Sequence, residues 1–169
     1  LIKQLTPQLV SAFAASFVSV PAPHQPKPES DTDGIRYTSF EESKVGRFKV
    51  LETAIGTWKS IQGSTIVDDK HAKTGKSCLQ LTGGKNTSVT LQIATPLKTP
   101  GNLTFWAERW TQRSPFSFRI EKQTVAGWKE IFNGDKSVRV GRAFLSHIKI
   151  PLNTDVTSLR FTVTSPPDT

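Results

Sequence analysis

Pro100-Gly101-Asn102-Leu103-Thr104-Phe105-Trp106-Ala107-Glu108-Arg109-Trp110-Thr111 is the stretch that decides the fold. After a Pro-Gly-Asn turn signal, Leu103, Phe105 and Ala107 alternate with Thr104, Trp106 and Glu108. A period of two sends successive side chains to opposite faces, so the run reads as a half-buried strand and not as a helix. With the odd positions in a core, Trp106 is left on the outer face.

The same period recurs on both sides. Val89, Leu91 and Ile93 alternate with Thr90 and Gln92; Phe116, Phe118 and Ile120 alternate with Ser117, Arg119 and Glu121; Leu159, Phe161 and Val163 alternate with Arg160 and Thr162. Further strands are expected at 78–81, 126–133, 138–140 and 143–150. Turn signals separate them: Gly83-Gly84, Pro100-Gly101-Asn102, Asn133-Gly134-Asp135 and Pro151-Leu152-Asn153. No window carries a sustained helical stripe. Short strands with polar turns and no crossover helices predict an all-β chain, an antiparallel β-sandwich. A jelly roll is the expected topology, although strand order cannot be read from the period.

The chain has 169 residues, of which 36% are hydrophobic and 21% charged, so one packed domain is expected and wholesale disorder is not. A single cysteine, Cys78, excludes a disulfide framework and a cysteine-based zinc site within the chain, and its place in an apolar strand predicts burial. The formal charge of +8 suits anionic partners or an anionic surface.

The N-terminal stretch has a different character. Leu9 to Val20 is an uncharged apolar run behind Lys3 and ends at Val20-Pro21-Ala22, so residues 1–22 read as a signal peptide, too short to span a bilayer as a helix. Residues 23–34 read as a Pro-rich polar linker and 35–169 as the sandwich module. Setting aside Lys3, Lys27, Glu29, Asp31 and Asp33 leaves 20 basic against 11 acidic side chains, so the positive excess belongs to the module. A secreted, periplasmic or cell-surface protein without a transmembrane span is the expectation.

Alternation also selects candidate binding residues. Trp106, Arg119 and Arg160 all fall on outward positions of their strands. A flat indole offers an apolar face to a sugar ring, and guanidinium forks grip hydroxyls or carboxylates, so these three are the expected glycan contacts. Other chemistry is poorly supported. His24, His71 and His147 lie far apart in sequence, and His71 is expected to shape its turn. There is no Gly-x-Ser-x-Gly elbow to single out a nucleophilic serine. Gly83-Gly84-Lys85 lacks the flanks of a phosphate loop and reads as a hairpin turn. Basic residues are spread along the chain with no nucleic-acid-binding signature, so no nucleic-acid partner is expected.

Two sets of residues carry a family resemblance. Phe40-Glu41-Glu42, Gly56-Thr57-Trp58 and His71-Ala72-Lys73-Thr74-Gly75-Lys76-Ser77-Cys78-Leu79-Gln80-Leu81 resemble the opening of galactose-binding-like jelly-roll modules of secreted glycoside hydrolases. With Pro100 to Thr111, Ser114 to Glu121 and Gly127-Trp128-Lys129-Glu130-Ile131 added, the chain resembles the N-terminal domain associated with bacterial BNR-repeat neuraminidases (sialidases) over residues 35–169. The resemblance implies a non-catalytic module that binds glycan or packs against a downstream six-bladed propeller, with one more strand beyond Thr169. A purely structural assembly role without glycan affinity is the alternative. It also implies a structural calcium ion near the first strand, with Glu41 as the candidate ligand. Sialidase chemistry needs an arginine cluster, a Tyr nucleophile with a carboxylate partner and an Asp acid/base. The only tyrosine is Tyr37, beside the linker, and no Ser-x-Asp-x-Gly-x-x-Trp repeat occurs, so no catalytic residue is assigned.

Overall fold

A computed structural model describes residues 16–19, 35–141 and 143–169. Its strands in chain order are β1 (Ser16–Ser19), β2 (Ile35–Arg36), β3 (Gly46–Arg47), β4 (Val50–Thr53), β5 (Gly56–Ser60), β6 (Thr65–Asp68) and β7 (Cys78–Leu81). They continue with β8 (Gly84–Ile93), β9 (Gly101–Ala107), β10 (Ser117–Thr124), β11 (Gly127–Asn133), β12 (Ser146–Leu152) and β13 (Ser158–Ser165). Among the described residues there is no α-helix, and none that could cross a membrane. One sheet has six strands in the order β11-β10-β13-β8-β5-β4, a second has four in the order β12-β9-β1-β2, and β3-β6-β7 form a third. The strand pairings within these sheets are antiparallel, as the alternating apolar period requires of half-buried strands. The fold is an all-β sandwich.

The two larger sheets meet through aromatic rings. Phe105 of β9 packs edge-on against Phe118 of β10 and Phe161 of β13, with centroids 6.4 and 6.1 Å apart. Phe161 in turn meets Trp58 of β5 at 5.7 Å, and Trp58 meets Phe40 at 5.5 Å. Leu103, Leu91, Val89, Ile120 and Leu159 fill the space around these rings and are fully buried. Strand β5 lies close against β8 because residue 56 is glycine. Its φ of +148° is unfavourable for other residues, and any Cβ would collide with the carbonyl of Gln92.

Several expectations drawn from the sequence need correction. Gly83-Gly84 is not a hairpin: β7 and β8 lie in different sheets, and the pair carries the chain from one to the other. Residues 138–140 form no strand; Val138 enters the core from a loop, and Val140 makes only an isolated bridge to Arg109. Strand β12 begins at Ser146 rather than at 143 and runs through Pro151. Proline is tolerated there because β12 is an edge strand. Phe40 and Glu41, which the resemblance places in an early strand, sit in a turn, with Phe40 at φ +61°. Strands β3 to β6 went without assignment, because Gly46 to Asp68 alternates over segments too short to register as periodic. Within the segment read as a leader, Ser16–Ser19 pairs with residues 101–104 of β9; the remainder of residues 1–34 lies outside the described residues.

Trp58 ties β5, β13 and the turn at Phe40 together, and its Nε1 donates to Thr53 Oγ1 at 3.0 Å. Trp58→Ala is expected to lower unfolding stability by about 3–5 kcal/mol in urea denaturation. A loss under about 1 kcal/mol would show that the sandwich does not depend on this ring.

Candidate functional site

The outward residues singled out by alternation divide between two opposite faces. Arg119 and Arg160 project from β10 and β13 on the outside of the six-stranded sheet. Trp106 projects from β9 on the outside of the four-stranded sheet. Because Phe105 faces Phe118 and Phe161 across the core, Trp106 points away from Arg119 and Arg160, which share one face. The structure therefore brings the two arginines onto one sheet but does not bring either to Trp106.

Both arginines are held by carboxylates of their own sheet. Arg160 stands opposite Glu121 and donates through Nε and Nη2 to its two carboxylate oxygens at 2.7 and 2.8 Å, while its guanidinium lies 4.5 Å from the Trp128 ring centroid. This is a bidentate pair stacked on an indole, the geometry that suits arginine and would not suit lysine. Arg119 pairs with both oxygens of Asp135, and its Nε lies 2.9 Å from Glu130 Oε2. Asp135 also accepts the Phe118 N–H at 3.0 Å, closing the turn after β11 onto β10. The hydrogen bond from Arg119 holds the Asp135 carboxyl below the usual aspartate range, against an opposing push from desolvation, and the same pairing raises the arginine.

Glu41 is drawn into the backbone. Its Oε1 accepts the N–H groups of Lys76 and Ser77 at 2.7 and 3.0 Å, fastening the turn at Phe40 to the segment entering β7. Gly75 permits this approach, since it sits at φ +65° and a Cβ would strike the carboxylate. Among the described residues no group of three His, Cys, Asp or Glu side chains is arranged to hold a metal ion.

Around Trp106 the sequence converges more than it suggests. His147 of β12 is the direct cross-strand partner of Trp106, and the two rings stack with centroids 4.7 Å apart at 28°. Lys73 Nζ lies 4.6 Å from the indole centroid and donates to the Ala143 carbonyl at 2.7 Å. The indole also packs beside Phe144, Cys78 and Ala72, so it is half-buried. Four residues along, Trp110 is 42% exposed. Its ring rests against His71 at 4.5 Å, and its Nε1 donates to Glu108 Oε1 at 3.0 Å. The other oxygen of Glu108 accepts the Phe144 N–H at 3.1 Å, and His71 Nδ1 is 2.8 Å from Asp68 Oδ2. One carboxylate thus fixes Trp110 and the Phe144 loop that borders Trp106. His71 does shape its turn, by bridging to Asp68, and it also braces an indole.

This edge offers two indoles, two imidazoles and an ammonium in a rigid frame. Such a surface can stack on flat apolar faces and donate hydrogen bonds around them. Trp110 and His71 escaped assignment as binding residues because Trp110 lies past the end of the alternating run, where phase gives no direction. The cross-strand position of His147 opposite Trp106 was the signal that could have found that pair, given the β9–β12 register.

As pH falls, the Asp135 pair sets an expected loss of stability. A carboxyl depressed in the folded state contributes stability that is complete above its unfolded pKa and lost as pH falls through the folded value. Stability should therefore drop through and below the usual aspartate range, with the exposed pairs Asp155–Lys122 and Asp168–Arg113 adding in the same direction. Urea midpoints measured from neutral to acid pH should fall less steeply in Asp135→Asn than in the parent; parallel curves would refute the assignment. A comparison with known protein families, characterised proteins and solved structures found no match for the chain.

Proposed function

We propose that this chain is a non-catalytic carbohydrate-binding module, exported from the cell, of the jelly-roll kind that its sequence resembles at the N-terminus of bacterial sialidases. The observation that carries the reading is the braced indole pair. Trp110 presents an exposed ring held by Glu108 and His71, next to the half-buried Trp106 with His147 and Lys73 on it. A sugar ring stacks on an indole without needing that indole to move, so a fixed ring binds with little entropic cost. Lys73, with no carboxylate partner among the described residues, adds affinity for acidic or sulfated sugars, and that part weakens with salt.

A second reading is favoured by the apolar company of Trp110. Val140, bridged to Arg109, is 37% exposed, and Leu145, beside Phe144, is 54% exposed. An edge with these three residues also suits packing against a neighbouring domain, for which the resemblance names a propeller.

Affinity electrophoresis in gels containing galactosyl, sialylated or sulfated polymers separates the two. The glycan reading expects retardation by at least one polymer. Trp110→Ala is expected to weaken binding by about 2 kcal/mol, as for tryptophans that dominate other interfaces, and Trp106→Ala to weaken it as well, with urea midpoints showing that both variants stay folded. Migration unchanged by every polymer would remove glycan binding and leave the packing role.

A further inference from the structure

A half-open pocket of about 100 Å³ lies where β9 and β13 end and β10 begins, beside the loop that runs from Glu108 to Phe116. Its walls are mainly apolar, with Leu79, Leu81, Phe118, Val138, Phe144 and Val163, while Gln80, Thr111, Ser165 and Thr169 add polar groups. Small side chains at Cys78 and Ala107 leave the space unfilled. An enclosed apolar cavity of roughly 150 Å³ takes up benzene, so a pocket of this volume has room for a hydrocarbon group of about four carbons.

Arg109 is the cation on this lining. Its backbone is pinned on both sides, N–H to the Arg139 carbonyl at 3.1 Å and carbonyl to the Gly141 N–H at 3.2 Å. Its guanidinium lies 4.2 Å from the Phe116 ring centroid, and Nε donates to the Thr111 carbonyl at 2.8 Å. Arg113, Arg119 and Arg160 each meet a carboxylate; among the described residues nothing accepts a hydrogen bond from the two terminal nitrogens of Arg109. A positioned guanidinium with two open donors over an apolar space calls for a bidentate anion carrying an apolar tail. Glu108 lines the same cavity, and its negative charge disfavours an anion of higher charge such as phosphate. Phe144 closes one wall at φ +46°, a conformation costly for a bulky residue, with its N–H held by Glu108.

We propose that this cavity is a binding site for a small aliphatic monocarboxylate, with the carboxylate on Arg109 and the tail among Leu79, Leu81 and Val138. The pocket shares Trp110, Glu108, Phe144 and Cys78 with the edge proposed for glycan binding, but Arg109 and the tail contacts Leu79, Leu81 and Val138 are not among the residues on which that reading rests.

The test is a methyl NMR titration of the whole chain with sodium 3-methylbutanoate and, in parallel, with 3-methylbutan-1-ol. The acid is expected to shift the Leu79, Leu81 and Val138 methyl signals saturably, and the alcohol to bind at least tenfold more weakly. Arg109→Gln is expected to bring the acid down to the level of the alcohol while leaving the alcohol unchanged. Absence of saturable shifts with the acid, equal affinity of acid and alcohol in the parent chain, or an unchanged acid affinity in Arg109→Gln would each overturn the proposal. The comparison of the two ligands on the parent chain decides the matter should the variant fail to fold.

Discussion

Phe161 touches Trp58 of its own sheet at 5.7 Å and Phe105 of the facing sheet at 6.1 Å, so a single ring couples both layers. The contacts run on from Phe105 to Phe118 and from Phe118 to Phe132, and at the other end from Trp58 to Phe40. Edge-to-face geometry recurs along this series, the arrangement in which aromatic quadrupoles attract. Because the rings come from β5, β9, β10, β11 and β13, they fix the register of five strands at once. A slip of one residue in any of them would turn a core ring to water and bring a polar neighbour inside. The outward direction of Trp106, Arg119 and Arg160 follows from that constraint rather than from any contact those residues make.

This explains how much of the fold was legible in the sequence. Strands β8, β9, β10 and β13 are long, half-buried and regular, and their alternation could be read without reference to any other segment. Where burial depends on partners far along the chain, the sequence was silent or misleading. Ala143, Phe144 and Leu145 look like the start of a strand, but Phe144 turns into a pocket beside Cys78 and Trp106 at positive φ, so β12 begins only at Ser146. Val138 is apolar because it plugs the core from a loop. Gly83-Gly84 looks like a tight turn, yet it serves as a crossing between sheets, which no local signal distinguishes.

The candidate site shows the same division more sharply. Parity gave the outward direction of Trp106, a property of one strand. Its neighbours come from three other places: His147 from β12, Lys73 from the loop before β7, and Phe144 from the loop before β12. None is within 30 residues in sequence of Trp106, and only the sheet register places them together. The carboxylate partners of Arg119 and Arg160 were hidden for the same reason. Glu121 lies opposite Arg160 because of the β10–β13 register, and Asp135 reaches Arg119 because the turn after β11 folds back onto β10.

Net charge is therefore a poor guide to where an anion would bind here, and the distribution of carboxylates is a better one. On the outside of the six-stranded sheet, Arg119 and Arg160 are matched by Asp135, Glu130 and Glu121, so these two arginines are neutralised locally. On the outside of the four-stranded sheet, Lys73 and the exposed Lys149 have no carboxylate partner among the described residues; Lys73 donates to a carbonyl instead. An ammonium facing a carbonyl keeps its full charge, whereas one in a salt bridge presents a dipole that falls away more steeply with distance. Lys73 thus sets an ammonium without a carboxylate partner among the described residues directly beside an indole. An anionic sugar approaching on the side proposed for binding would meet an ammonium and a stacking surface together, whereas the arginines singled out by alternation meet it already paired with carboxylates of their own sheet.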